Sequence, residues 1–265
     1  MQSWDLDRKI QVTTARIMEW YEHYNGLVYV AFSGGKDSTV LLDLVRRIYP
    51  DVPAVFCDTG LEFPEIRQFA MSVNNVVVLR PEMNFKKVIE TYGYPIVSKR
   101  VADTVEYGHK PGSFRWKELH GEIIRSNGTK SEFNCEKWCY LLDAPFKVSS
   151  RCCNIMKKKP MKKYSKETGR VPIIATMADE SRSRRSVWMS TGCNAFQKKS
   201  PSSQPMSFWT ENDVLEYIHT YNIPYASVYG DIVPCGGGGQ RQAKKEPGVC
   251  FALLALIWRS LQTVF

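Results

Sequence analysis

A chain of 265 residues with 43% hydrophobic and 24% charged residues has room for one large α/β domain, or one domain with a modest appendage, and excludes wholesale disorder. No apolar run is long enough to cross a bilayer, Phe251 to Trp258 being the best candidate, and the polar start (Gln2, Ser3, Asp5, Asp7, Arg8, Lys9) lacks a signal-peptide core, so a cytoplasmic protein with no membrane partner is expected. The net charge of +9 is local: residues 147–199 hold 14 Lys or Arg against three acids (Glu167, Asp179, Glu180), a surplus of +11 that leaves the rest at −2.

So basic a segment suits a polyanionic partner, whether nucleotide phosphates, sulfate or nucleic acid. A solvated lysine-rich helix face explains the Lys157–Lys163 cluster equally well. The eight cysteines sit in a large chain without an export signal, which argues for reduced thiols rather than a disulfide framework.

In chain order, Leu6, Ile10, Ala15, Ile17, Met18 and Tyr21 recur at roughly helical spacing, and Asn25-Gly26 closes that helix. Leu27 to Phe32 is a continuous apolar run, as expected of a strand buried on both faces of a parallel sheet. A glycine loop follows, then a helix through Val40, Leu41, Leu42, Leu44 and Val45 that ends near Tyr49-Pro50. Val52–Cys57 reads as a second strand, Pro64–Val73 as a helix with proline in its first turn, Val76–Leu79 as a third strand and Phe85–Tyr92 as a helix. From about Tyr94 to Arg170 the alternation is lost in a Gly-, Lys- and Cys-rich helical insertion. Val171–Thr176 is a later strand, and Thr210 to Asp213 form a capping box that opens a helix through Tyr221. Repeated strand–loop–helix units imply an α/β fold, a Rossmann-like parallel sheet with helices on both faces.

Ser33-Gly34-Gly35-Lys36-Asp37-Ser38 follows the first buried strand and opens a helix, where amide hydrogens and the helix dipole attract anions. Gly34 and Gly35 allow phosphate oxygens close to the backbone, Ser33 and Ser38 offer hydroxyls, and Lys36 offers a compact charge. Asp37 is unfavourable beside phosphate unless it faces Mg²⁺ or a helix N–H group. The spacing is neither that of a Walker A loop nor GxGxxG. An ordinary strand-to-helix turn explains the two glycines but not Lys, Asp and two Ser beside them.

Ser33 to Ser38 resembles the PP-loop of the adenine nucleotide α-hydrolase superfamily, and Cys57-Asp58-Thr59-Gly60-Leu61-Glu62-Phe63-Pro64-Glu65 resembles the second signature of the phosphoadenosine phosphosulfate (PAPS) reductase family. Arg151-Cys152-Cys153 with Lys158 and Pro160 resembles the paired-cysteine segment of adenylyl-sulfate reductases, and Asp179 to Arg185 that family's Arg-rich substrate loop. The resemblance covers about Val28 to Val233, taken as one domain at residues 1–233 with the insertion at about 94–170 and an atypical tail at 234–265. It implies pyrophosphate or phosphosulfate at Ser33–Ser38, Asp58 and Thr59 beside the nucleotide, and Lys158, Arg182, Arg184 and Arg185 around anionic oxygens, with Glu180 orienting an arginine. A surface ion-pair cluster is the plainer account of Glu180 and its arginines.

Two chemistries stay open. Lys36 and Asp37 look like the ATP-using relatives, which activate an oxygen as an adenylate and release pyrophosphate; Asp58 to Pro64 and the cysteine pair pull toward reduction of a sulfonucleotide (APS or PAPS). Either implies an adenine nucleotide and a thiol reductant or sulfur-donor protein as partners. An iron–sulfur cluster needs about four thiolates. Cys152 and Cys153 are the matched pair, with Cys193 and Cys235 as candidate partners, whereas Cys135 and Cys139, four apart, would share a helix face. The resemblance calls for a Cys-x-x-Cys near the C-terminus that Cys235 and Cys250 do not supply, so the tail, with its Gly236–Gly239 run, is expected to reflect a frameshift or truncation. The alternative is a sulfur-transferring or binding component acting on nucleic acid, its basic segment on the backbone; Trp188, Phe196, Phe208 and Trp209 could stack on bases, although aromatics at such positions more often belong to a core.

Overall fold

The computed structural model describes residues 1–235 and 239–242, with side chains through Ile232; Cys250 and the apolar stretch Phe251–Trp258 lie outside the described residues, as does the side chain of Cys235. Helix α1 (Leu6–His23) leads into β1 (Val28–Phe32), α2 (Lys36–Arg46), β2 (Ala54–Cys57), α3 (Pro64–Ser72) and β3 (Val76–Leu79). Three helices follow, α4 (Phe85–Tyr92), α5 (Lys99–Tyr107) and α6 (Phe114–Leu119), then α7 (Lys159–Thr168), β4 (Val171–Ile174) and α8 (Arg182–Thr191). The two-residue strands β5 (Asn194–Ala195) and β6 (Ser202–Ser203) precede α9 (Glu211–Tyr221) and an antiparallel pair, β7 (Ile232–Cys235) with β8 (Gly239–Gln242).

The main sheet runs β3-β2-β1-β4-β6-β5, parallel except at the β5 edge. Strand side chains alternate between faces. Val28, Val30 and Phe32 join Ala54, Phe56 and Ile173 in a core that includes Ile17 and Trp20 of α1, Val40, Leu41 and Leu44 of α2, and Val214 and Ile218 of α9. Tyr29, between them in sequence, meets α7 instead: its ring stands edge-on to Tyr164 at 5.2 Å and its hydroxyl lies 3.2 Å from Ser165 Oγ. Helices thus cover both faces, as the unbroken apolar run of β1 implies.

The start of α9 is fixed from a distance. Asp213 accepts from Thr210 N and Oγ1 (2.6 and 2.7 Å) as a capping box, and the buried Lys9 of α1 donates to the same carboxylate at 2.6 Å. A buried charge of either sign is costly alone, so each holds the other in place.

Pro81–Pro160 form a second compact unit with its own small core of Val101, Ala102, Val105, Leu119, Leu141 and Val148. Its helices are short and side-chain capped: Asn84 accepts from Lys87 N, Ser98 from Val101 N and Ser113 from Trp116 N. Glu118, buried, gathers Arg100, Arg115 and Thr104. Glu106 accepts from Ser149 Oγ, Ser150 N and Arg151 Nε (3.0, 3.0 and 2.5 Å), ordering the segment that enters Cys152-Cys153.

Candidate nucleotide-binding site

Strand order reverses beside β1: β2 follows it on one side and β4 flanks it on the other. Open parallel sheets bind ligands in the crevice at such a switch point, outside the carboxyl ends of the strands. There the loops after β1 and β4 meet, and a cavity of about 160 Å³ is lined by Lys36, Asp37, Met177, Asp179, Glu180 and Glu211.

The glycine loop is built for close approach. Gly34 has φ +73°, and a Cβ there would sit 2.8 Å from Ile66 Cγ2 and 3.0 Å from the Ile66 carbonyl oxygen of α3. Gly35 is the N-cap of α2 and offers no side chain to the first-turn amides, which leaves that helix end suited to an external anion. The motif is only half loop: Lys36, Asp37 and Ser38 already form the first turn of α2.

The two serines act on the loop itself. Ser38 Oγ donates to Gly35 O at 2.9 Å and accepts from Ser33 N at 3.2 Å, and Ser33 Oγ accepts from Gly35 N at 3.3 Å. Their hydroxyls, expected to face phosphate, therefore set the turn's shape, with Ser38 buried. Lys36 is also buried, with its side chain 2% exposed; Nζ donates to Glu211 Oε1 at 2.8 Å and lies 5.8 Å from the centre of the Tyr229 ring. Glu211 is the first residue of α9 and is 61% exposed, so solvent reaches the pair from the glutamate side.

Asp58 and Thr59 follow β2. Register pairs Phe32 with Phe56, so Asp58 leaves the sheet at the same end as the glycine loop. Asp58 Oδ2 is held by Arg67 Nε at 3.1 Å and Arg80 Nε at 3.7 Å, while Thr59 donates through N and Oγ1 to Glu62 (3.0 and 2.7 Å). Beyond β4, Glu180 accepts from Met177 N at 2.9 Å and pairs with Arg184. Arg182, Arg184 and Arg185 lie on a helix rather than a loop: Ser181 caps α8 by accepting from Arg184 N, and all three arginines are exposed.

The sequence did not single out Met177, Glu211, Arg67 or Arg80. A signal existed for Glu211, since the Thr210–Asp213 capping box puts it in a first helical turn, the end that faces an anion. Several expectations fail. Phe208 and Trp209 are fully buried, and Trp188 and Phe196 pack against the main core, so of the two readings of these four aromatics the structure favours framework over a base-stacking platform. Cys135 precedes a 3₁₀ turn (Glu136–Asp143) and donates to Phe133 O, whereas Cys139 lies 3.6 Å from His120 Nε2; a 3₁₀ turn does not bring i and i+4 onto one face.

Lys158, Cys152 and Cys153 belong to the smaller unit. The two sulfurs are 3.9 Å apart at the mouth of a π-helical turn, Asn154–Lys158. A hydrogen bond from Cys152, reinforced by Lys99, Lys157 and Lys158, pulls the exposed Cys153 thiol down to about 6, and pushes Cys152 up. Cys193 is buried in the main core, where desolvation raises its thiol. Among the described residues no three His, Cys, Asp or Glu side chains are arranged to hold a metal ion, and the side chain of Cys235, the fourth candidate thiolate, lies outside them. As an acid with its ionisation lowered, Cys153 is mostly thiolate at pH 7. Its alkylation by iodoacetamide should rise through pH 6 and level off by pH 7.5, where an ordinary cysteine, with a pKa near 8.5, is still climbing. Mass-spectrometric rates that climb only above pH 8 would contradict this arrangement.

The family model of the phosphoadenosine phosphosulfate reductase domain matches residues 27–105 and 125–234. An uncharacterized protein of Methanocaldococcus jannaschii is 32% identical over 105 residues, 38% of this chain and 25% of that protein. An adenosine 5′-phosphosulfate reductase of Geobacillus kaustophilus is 26% identical over 212 residues, 79% of this chain and 70% of the reductase. The chain thus spans a quarter of one relative and 70% of the other. Among solved structures, phosphoadenylyl-sulfate (PAPS) reductase from Candida auris, a phosphate complex, aligns with a TM-score of 0.46 at 15% identity, over 84% of this chain and 88% of that one. No helix among the described residues is long and apolar enough to cross a membrane. Matched by the family model over most of its length, from the first strand of the sheet to β7, the chain belongs to the phosphoadenosine phosphosulfate reductase domain family.

Proposed function

We propose that this chain is an enzyme of sulfur metabolism that grips the phosphates of an adenine nucleotide between the start of α2 and the loop after β4, and that the nucleotide is ATP. The observation that carries this reading is the buried Lys36, aimed with Asp37 into a cavity at the switch point of the sheet. Gly34 and Gly35 admit phosphate oxygens to the amides of α2, whose dipole favours negative charge. Lys36 then exchanges its glutamate partner for a phosphate oxygen, and Arg184, held by Glu180, neutralises a second anionic group.

Four carboxylates share the cavity with one lysine (Asp37, Asp179, Glu180 and Glu211), a setting that repels bare phosphate. Carboxylate oxygens suit Mg²⁺, which takes one or two of them together with phosphate oxygens rather than a full protein cage. Asp37 is the residue we assign to it, and the ion would supply charge neutralisation along the phosphate chain. In the adenylyl transfer that follows, an acceptor oxygen bonds to the α-phosphorus, the α–β bond breaks and pyrophosphate leaves with the electron pair. The chain's part is alignment and charge compensation.

A sulfonucleotide, APS or PAPS, is the second reading, favoured by the name of the Geobacillus relative and by the paired thiols Cys152 and Cys153. In that case a thiol reductant supplies the electrons. Calorimetric titration with ATP, APS and PAPS, with and without Mg²⁺, separates the two readings, together with an assay of pyrophosphate release. ATP is expected to bind more tightly with Mg²⁺ present and through Lys36. Tight binding of APS or PAPS with none of ATP would move the assignment to sulfonucleotide reduction, and binding of none would end it.

A further inference from the structure

The helix α7 carries a charge pattern that neither the cavity nor the nucleotide reading uses. Lys159, Lys162, Lys163 and Lys166 recur at i, i+3, i+4 and i+7, the spacing that lines one face of a helix. The opposite face is already occupied, because Tyr164 and Ser165 meet Tyr29 of β1. All four lysines are exposed, and none has a salt-bridge or hydrogen-bond partner among the described residues. Glu167, the one acid of α7, pairs with none of them. At 1.5 Å per residue the four charges run along about 10 Å of helix. Like charges at i+3 and i+4 repel one another, so the pattern works against the helix unless something anionic lies along it.

The composition of this face decides between kinds of partner. Protein interfaces are depleted in lysine and rely on buried aromatic and arginine anchors, and the exposed face of α7 offers neither. A track of compact, strongly hydrated ammonium groups instead suits evenly spaced phosphates contacted without regard to base sequence. We infer that the outer face of α7 is a docking surface for the sugar–phosphate backbone of a nucleic acid. The surface is independent of the nucleotide reading and does not involve the cavity residues.

The test uses the full chain and fluorescein-labelled RNA and DNA of about 20 nucleotides, single- and double-stranded, with anisotropy followed between about 50 and 300 mM KCl. With four phosphates contacted, log Kd against log salt should have a slope of about 3 in magnitude. The variant with Lys159, Lys162, Lys163 and Lys166 all changed to Gln should lose about tenfold or more in affinity at low salt and most of the slope. Changing the same four to Arg should keep both, while circular dichroism and ATP affinity stay at the wild-type level in each variant. The inference is overturned if wild type binds no nucleic acid at low salt, if the Gln variant keeps the wild-type slope, or if polyglutamate displaces RNA at equal charge concentration, which would mark the surface as one for acidic proteins. Salt-dependent binding lost in the Gln variant, in a protein that binds no ATP, would sustain this surface while refuting the nucleotide assignment.

Discussion

Lys36→Met is expected to weaken ATP binding on the order of a hundredfold, since a charge-assisted hydrogen bond contributes about 1.5–3 kcal/mol and this one forms in a desolvated setting. Methionine nearly fills the space of the lysine stem, and Glu211, 61% exposed, remains hydrated when its partner is lost, so the fold should tolerate the change. Glu211→Gln tests the same contact from the other side. It removes the lysine's competing partner, and because a half-solvated ion pair is worth about 1 kcal/mol or less, ATP affinity should rise by up to roughly fivefold. Calorimetry on the two variants reads both effects. Unchanged affinity in Lys36→Met would take phosphate away from α2, whatever the nucleotide.

Gly34→Ala should cost about 2–4 kcal/mol of stability and lower the midpoint of thermal unfolding by roughly 5–12 °C. Two costs combine. An alanine at φ +73° is strained, and its Cβ would press to 2.8 Å on Ile66 Cγ2 and 3.0 Å on the Ile66 carbonyl, backbone that cannot swing aside. Gly60 separates the two, because it has φ +74° but nothing within 4 Å of a Cβ. Gly60→Ala should therefore cost only the backbone part, about 1 kcal/mol. Circular dichroism melts of the pair give the difference, and equal shifts would show that contact with α3 is not what requires glycine at position 34.

The sheet was legible where local pattern and tertiary role coincide. The run Leu27–Phe32 reads as a buried strand because Val28–Phe32 is one, only the exposed Leu27 falling outside it, and Gly34, at φ +73°, marks the turn that a side chain would strain. Helix α8 was missed because Arg182-Ser183-Arg184-Arg185-Ser186 has no apolar stripe, and what starts it is the Ser181 cap, a signal that was available. The strands β5 and β6 are two residues each, too short for any periodicity. In the smaller unit the helices span six to nine residues, and Asn84, Ser98 and Ser113 mark their starts more clearly than hydrophobic spacing does.

The candidate site was half visible. Residues contiguous in a motif, such as Ser33–Ser38, could be named, but the pairing of Lys36 with Glu211 spans 175 positions and Asp58's arginines come from α3 and the end of β3. Such partners are chosen by chain topology, on which a linear reading has no hold. The serines show the converse: the motif singles them out for their hydroxyls, yet their bonds go to the loop's own backbone.

Asp213 has two duties, holding the N-cap Thr210 of α9 and receiving Lys9, and they tie the wall of the crevice to the first turn of α1. Loss of Lys9 from the first turn of α1 would thus be felt more than two hundred residues downstream, where the helix that carries Glu211 begins.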